Sequence, residues 1–311
     1  HFKKSAGRLQ SPVEVRYAFM RDHSTQFRIT LMSRVLGVSR SGYYAWLVRP
    51  ESARSVANRQ LLPLIRQAYL KSRRNYGSPR VTDELHDQGY RYNEKRVARL
   101  MRLHGIRPKT VKKFKATTDS KHNLPVAPNL LGRNFTTDGP NRVWLADITY
   151  IPTTEGWLYL AGLLDLYTRR VVGYAMSHRI NAELTLSALG QALARYRPGP
   201  GLIHHSDQGK QYAAGDYQKL LRKHQAITSM SRKGDPWDNA PMESFWGTLK
   251  QELVHHETFV TRDEAKAKIF EYIEVFYNGQ RRHSSLGSVS PAEYESAARP
   301  QPTLEQSPCL N

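Results

Sequence analysis

Three acids in this chain sit where a carboxylate needs a reason. Asp147 interrupts the apolar run Trp144-Leu145-Ala146-Asp147-Ile148-Thr149-Tyr150. A lone carboxylate in a buried strand is unfavourable unless something compensates its charge. A divalent cation would do so, and so would backbone amides or an arginine. Asp207 closes a short strand in His204-His205-Ser206-Asp207-Gln208-Gly209-Lys210-Gln211-Tyr212. Strand ends are where α/β sheets gather their sites, although an Asp at a strand-to-turn junction is also ordinary. Gly209 would let the backbone approach a ligand closely. Glu243 follows Asp235-Pro236-Trp237-Asp238-Asn239-Ala240-Pro241-Met242, where Asp238 or Asn239 caps a helix and Pro241 sits in its first turn.

Each acid alone has a structural explanation. Together they are two strand acids and one helix acid, with 35 residues between Asp207 and Glu243. An all-oxygen set of this kind can bridge two hard cations. Held about 3.5–4 Å apart, such a pair activates an attacking oxygen and stabilises a leaving one in phosphoryl transfer. Mg²⁺ is the natural ion, with Mn²⁺ able to replace it. Lys250 falls on nearly the same helix face as Glu243, roughly 10 Å further along the axis. It would reach a phosphate beside the acids, or stand as an exposed helical lysine.

Other residues compete for these roles. Asp165 reads as a structural acid at a strand end, and Asp235 and Asp238 as loop and cap residues. His204 and His205 are adjacent on a strand, so their side chains point to opposite faces and cannot form one ligand pair. His283 lies near a basic stretch, where packing and phosphate contact both fit.

The elements that must position these acids are legible in the hydrophobic pattern. Val143–Ile151, Trp157–Leu166 and Arg170–Ser177 read as three strands joined by short turns, an antiparallel meander. Asn181–Tyr196 reads as a helix, Gly201–His205 as a strand, Asp216–His224 as a helix and Ala226–Ser231 as a strand. Asn239–Leu253 and Thr261–Tyr277 are helical, with Thr261 and Glu264 forming a capping box. This order predicts an α/β fold with a ribonuclease-H-like mixed sheet as catalytic core, carrying helices on both faces.

Upstream the grammar is helical. Ser33–Trp46 reads as helix, Gly37 turn and second helix, with Ser39 as cap and Arg40 at the start of the second helix. That is either a helix-turn-helix, whose second helix enters a DNA groove, or a plain helical hairpin. Residues 57–107 repeat the idea, with Ser78 as N-cap, Pro79 at the first position and Asn93 capping a helix that exposes Lys95, Arg96, Arg99 and Arg102. From Lys71 to Lys115 there are fourteen Lys or Arg against four Asp or Glu, so phosphate contact is favoured over a merely solvated face. The predicted organisation is a first helix-turn-helix over 1–50 and a second over 51–110. A basic linker over 111–138, holding Lys112 and Lys113, follows. The catalytic core covers 139–296 and a tail 297–311.

The whole chain carries 47 Lys and Arg against 27 Asp and Glu, a formal charge of +20. So basic a protein favours a polyanionic partner, because its cations release counterions from phosphate backbones. One cysteine, Cys309, excludes an internal disulfide or a cysteine zinc site. With no apolar stretch near the roughly 20 residues of a membrane span and no visible secretory signal, no membrane role is expected. The expected location is the cytoplasm, at the bacterial nucleoid.

Several stretches resemble one family. Trp144–Tyr150, Asp165–Gly173, His205–Tyr212, Gly234–Lys250 and Tyr277-Asn278-Gly279-Gln280-Arg281-Arg282-His283-Ser284-Ser285-Leu286-Gly287, followed by Ser290-Pro291, are similar to the catalytic half of the insertion-sequence-three (IS-three) family of bacterial transposases. Residues 57–107 resemble the helix-turn-helix that precedes that core. The resemblance implies a retroviral-type integrase (DDE) core, with Asp147, Asp207 and Glu243 as metal ligands and Lys250 on DNA near the cut. It further implies binding of double-stranded DNA, both the terminal inverted repeats and a target. Metal-dependent 3′-end cleavage and strand transfer would follow by a copy-out, paste-in route through a circular intermediate. Pairing two ends calls for a homo-oligomer, at least a dimer on DNA. Two rivals remain at this level: a ribonuclease of the same fold, which would cut RNA–DNA hybrids, and a DNA-binding regulator with an inert core.

Overall fold

The apolar run around Asp147 forms the middle strand of a five-stranded sheet. The computed structural model describes residues 11–109, 126–232 and 235–298. Strands β1 (Val143–Thr153), β2 (Gly156–Asp165) and β3 (Val171–Ser177) form the antiparallel meander. β4 (Ile203–Ser206) then adds to the other side of β1 in parallel, and β5 (Ile227–Met230) adds in parallel to β4. The order β3-β2-β1-β4-β5 is that of the ribonuclease-H-like sheet expected from the sequence.

The chain divides into two compact units, residues 1–64 and 65–311. In the first, helices α1 (Val13–Asp22), α2 (Ile29–Leu36) and α3 (Arg40–Val48) enclose a small core of Tyr17, Met20, Met32, Leu36 and Tyr43. Gly37 ends α2 in the left-handed conformation at φ 60°, and Ser39 caps α3 by accepting from the Gly42 amide. The dividing point falls within α4 (Ala53–Lys71).

In the second unit α5 (Ser78–Asp87) and α6 (Glu94–Leu103) pack together. The cap of α5 is Gly77, not Ser78, whose hydroxyl turns instead toward Glu94. Asn93 caps α6 as expected, accepting from the Lys95 amide at 2.8 Å. The sheet is covered on both faces. One face carries α7 (Ala182–Tyr196), the short α8 (Lys210–Ala213) and α9 (Gly215–Lys223), packed on Trp144, Ala146, Leu163 and Val172. The other carries α10 (Ala240–Glu252) and α11 (Arg262–Glu271), packed on Val143, Leu145, Leu160 and Leu164. Period-two alternation along β1 sends its even-numbered side chains to one core and its odd-numbered ones to the other.

The helix expected to run to Tyr277 instead widens into a π-helical segment, Tyr272–Tyr277, before α12 (Pro291–Ala298). Its start is capped by Thr261, which accepts from Glu264 N at 3.1 Å. The Glu264 carboxylate reaches one residue further back than a standard capping box, to Val260 N. No helix among the described residues is long and apolar enough to cross a membrane.

Gly173 on β3 shows how tightly α7 lies on the sheet. A Cβ there would stand 2.4 Å from the Ala188 carbonyl oxygen and 2.8 Å from the Ala192 Cβ. Backbone cannot step aside as a flexible side chain can, so Gly173→Ala should destabilise the protein by roughly 1–3 kcal/mol. A thermal melt reads this directly, and an unchanged midpoint would contradict the close packing.

Candidate active site

The sheet register brings two of the acids together. Trp144 and Leu145 on β1 pair with His204 and His205 on β4. Continuing that parallel register by two residues sets Asp207 beside Asp147. Asp147 is an odd-numbered position, so it faces the α10 layer, where Glu243 lies in the first turn. It is buried, and its Oδ2 accepts a hydrogen bond from the Trp246 indole Nε1 at 2.9 Å. Directly opposite Asp147 on β2 is Gly162. A Cβ there would meet the Trp246 ring at 2.8 Å and the Met242 methyl at 3.0 Å. The glycine is what lets α10 come down onto the sheet beside the acid.

Burial pushes the Asp147 carboxyl well above the usual carboxylate range, and the negative charges of Asp207 and Glu243 push it further. Glu243 is raised as well, first by desolvation, with Lys250 opposing and Asp207 adding. The three acids therefore feel one another's charge. Among the described residues, no three His, Cys, Asp or Glu side chains converge closely enough to hold a metal ion as they stand. Like charges favour separation, since each raises the cost of ionising the others. The donor set is nevertheless all oxygen, suited to a hard divalent cation. The buried Tyr212 hydroxyl, which senses Asp147 and Asp207, has no hydrogen-bond partner among the described residues.

Each acid is oriented by its own local device. Asp207 Oδ1 accepts from the Gly209 amide at 2.9 Å, so this glycine serves the carboxylate through its N–H. The loop before Glu243 is fixed by Asp238, which is fully buried. Asp238 accepts from Arg232 Nε and Nη2 at 2.9 and 2.8 Å, from Arg133 Nε at 3.1 Å and from Asn129 at 2.9 Å. The Arg232 hydrogen bonds hold its carboxyl far below the ordinary value. Asn239, the N-cap residue of α10, makes no side-chain cap. It donates instead to the Ala146 carbonyl at 3.2 Å, joining the helix start to the residue before Asp147.

Lys250 Nζ lies 4.8 Å from the centroid of the Tyr150 ring. Burial lowers its pKa, while Glu243 and Asp147 act to raise it, which puts the ammonium within electrostatic reach of both acids. The two histidines belong to the core: Tyr217 Oη meets His204 Nε2 at 2.9 Å, and His205 lies between the hydroxyls of Ser229 and Ser231 at 2.8 and 3.1 Å. Asp165 is structural too, accepting from Thr168 N and Oγ1 and from Asn141 N at 2.7, 2.8 and 2.7 Å.

The other expected contact residues lie elsewhere. Lys95, Arg99 and Arg102 are exposed on α6, whereas Arg96 is half-buried with its guanidinium over the Tyr92 ring at 5.5 Å. Arg40 is exposed at the start of α3. Lys112 and Lys113 lie outside the described residues. Sequence reasoning missed Trp246, Gly162 and Asn239. Only Trp246 left a signal, standing three residues after Glu243 and hence on the same side of the helix.

Residues 137–236 and 243–298 match integrase core domain families, and residues 57–114 match an HTH-like domain. The uncharacterized 31 kDa protein of insertion element IS600 from Shigella sonnei is 52% identical over 263 residues, 85% of this chain and 97% of that protein. Transposase InsF for insertion sequence IS3A of Escherichia coli (strain K12) is 44% identical over 283 residues, 90% of this chain and 98% of that protein. A chain of the simian T-cell lymphotropic virus intasome, solved in complex with PP2A regulatory subunit B56 gamma, aligns with a TM-score of 0.44 at 18% identity, covering 78% of this chain and 79% of that one. With an HTH-like domain followed by an integrase core, and with 44% identity to an insertion-sequence transposase along nearly that protein's whole length, the chain belongs to the insertion-sequence-three (IS3) family of DDE transposases.

Proposed function

We propose that Asp147, Asp207 and Glu243 are the catalytic carboxylates of a DNA transposase that cuts and joins the ends of its own element. The observation that carries this reading is the treatment of Asp147. The other deeply buried acids are neutralised or fully hydrogen-bonded: Asp238 by Arg232 and Arg133, Glu84 by Arg282 and Lys71, Glu295 by Arg170, and Asp165 by three donors. Among the described residues, no Lys or Arg makes an ion pair with Asp147, in a chain of net charge +20. The charges of Asp207 and Glu243 act on it instead. The fold neutralises its other buried acids from within, which leaves Asp147 to be neutralised by a cation from outside.

The three carboxylates would hold two divalent ions, Mg²⁺ with Mn²⁺ as substitute. When bound, these would activate the attacking oxygen and neutralise charge on the leaving one. The protein's own contribution is placement. Trp246 fixes the Asp147 carboxylate, the Gly209 amide fixes Asp207, and the Asp238 clamp with Asn239 fixes the first turn of α10 and so Glu243. Lys250 would sit against the phosphate next to the reacting one. Water first opens the phosphodiester at the element's end and leaves a 3′-OH. That hydroxyl then attacks a second phosphodiester in line, with no covalent protein–DNA link. The copy-out, paste-in route through a circular intermediate belongs to this reading, as does a dimer or larger assembly on paired ends. Terminal inverted repeats would be bound by the helical modules, through Lys95, Arg96, Arg99 and Arg102 on α6, Arg40 on α3, and Lys112 and Lys113 beyond the described residues. The exposure of Lys95, Arg99 and Arg102 supports the α6 assignment.

Asp147→Asn, Asp207→Asn or Glu243→Gln should each cut end cleavage and strand transfer by about 10³-fold or more, the scale of removing a principal transition-state stabiliser, while sparing binding of end DNA. Labelled end duplexes with Mg²⁺ test this, and strand transfer surviving in any of the three variants would sink the assignment.

Stability supplies an independent check. A carboxyl whose folded pKa lies above its unfolded value stabilises the fold when protonated, and that contribution is lost as pH rises through the folded pKa. In metal-free buffer Asp147 therefore weighs increasingly against folding as the pH rises above the ordinary carboxylate range. Asp147→Asn, which keeps an acceptor for Trp246 but carries no charge, should melt higher than the parent. The gap should close as the pH falls below the carboxylate range. A variant that melts lower than the parent at neutral pH would contradict the electrostatic picture.

A further inference from the structure

The segment Tyr277–Gly287 stood out in the sequence, yet nothing in the reaction uses it. Its two adjacent arginines grip opposite partners. Arg281 turns to the catalytic helix: Nε and Nη2 donate to the two carboxylate oxygens of Glu252, the last residue of α10, at 2.8–3.0 Å. Tyr272 Oη donates to the same carboxylate at 2.9 Å. Arg282 turns to the HTH-like module: Nε and Nη2 donate to Glu84 Oε2 on α5 at 3.1 and 3.0 Å, and Nη2 also reaches Asp87. Lys71 Nζ holds the other Glu84 oxygen at 2.5 Å.

The joint is closed by Tyr76, whose hydroxyl accepts from the Arg282 amide at 2.8 Å and donates to the Gln280 carbonyl at 3.3 Å. On the core side the segment is anchored by Asn278. Its side chain pairs with both the N–H and the C=O of Val171 on β3 at 3.0 Å. Tyr277 packs edge-on against Phe245 of α10 with centroids 4.7 Å apart. Both arginines and Glu84 are buried. Burial alone would raise the Glu84 carboxyl, but the hydrogen bonds from Lys71 and Arg282 outweigh it and hold it below its ordinary value.

We propose that Arg281 and Arg282 are positioning residues: a two-sided clasp that fixes α5 and α6 to the catalytic helix and so sets which phosphodiester meets Asp147, Asp207 and Glu243. This rests on the transposase reading above and adds to it how the cut is measured. Apolar packing would hold two modules together as firmly. Buried, forked ion pairs add direction, and fixing register is their best-attested use. The geometry is demanding, because successive nucleotides along a strand are only about 3.4 Å apart. A slip of that size between the DNA-binding helices and the carboxylates would move the cut by one nucleotide.

The test uses the full chain on a labelled duplex carrying the element's terminal repeat, with nicking of an unrelated supercoiled plasmid in Mn²⁺ as the measure of the bare active site. For Arg282→Gln, end affinity should stay within about threefold and plasmid nicking should be kept. Cleavage at the parent phosphodiester should fall at least tenfold, with cuts appearing at its neighbours. Arg282→Lys, which keeps a charge at Glu84 but loses the fork, is the gentler variant and should recover most cleavage while still scattering the cut. Both variants cutting only at the parent position would overturn the proposal. So would Arg282→Lys losing end binding, plasmid nicking and end cleavage in proportion, which is the signature of a residue that only holds the fold. A parent protein that cuts no ends at all would instead remove the transposase reading.

Discussion

A carboxylate buried inside a sheet, Asp147, within electrostatic reach of Asp207 and Glu243, is the constraint around which the core is arranged. Ionising Asp147 costs free energy twice, once for leaving water and again for the charges of Asp207 and Glu243. Local rules of foldability are broken at functional sites and offset elsewhere, and here the offset is visible. The face that holds Asp147 carries a continuous core from Leu145 through Trp246, Leu249 and Phe276, and the opposite face carries a second core under α7 and α9.

Helix α10 is the element on which most of the placement converges. Its start is tied to β1 through Asn239 and to Asn129, Arg133 and Arg232 through Asp238, its middle lies against Gly162 and donates the Trp246 N–H to Asp147, and its end is held by Arg281. A helix fixed at three points can present Glu243 and Lys250 to the same small volume without being able to rock. Rigid support of this kind is what separates an active constellation from acids that are merely near one another.

The meander, the two parallel strands that follow, and the helix carrying Glu243 were all readable in the sequence, because period-two and period-3.6 patterns are strong there. The short α8 was missed because four residues are too few to show a period. The π-helical widening at Tyr272–Tyr277 was missed because its apolar residues suit an α-helix equally well. Asp147 and Glu243 stood out as acids in apolar company, and Asp207 only as an acid at a strand end. What supports them did not stand out, because it depends on contacts between residues far apart in the chain. Gly162 looks like any strand glycine until β1 places it opposite Asp147. Arg281 and Arg282 look like surface charge until α5 and α10 are seen on either side. Asp238 was expected to cap a helix, and its burial among arginines could not be read from the local pattern.

The central proposal is that the three acids bind divalent cations, and anomalous scattering from a crystal of the protein soaked in Mn²⁺ tests it most directly. The account predicts two anomalous peaks about 3.5–4 Å apart, bounded by Asp147, Asp207 and Glu243, with the carboxylates drawn inward. Full Mn²⁺ occupancy at other sites with no density among these three side chains would contradict it.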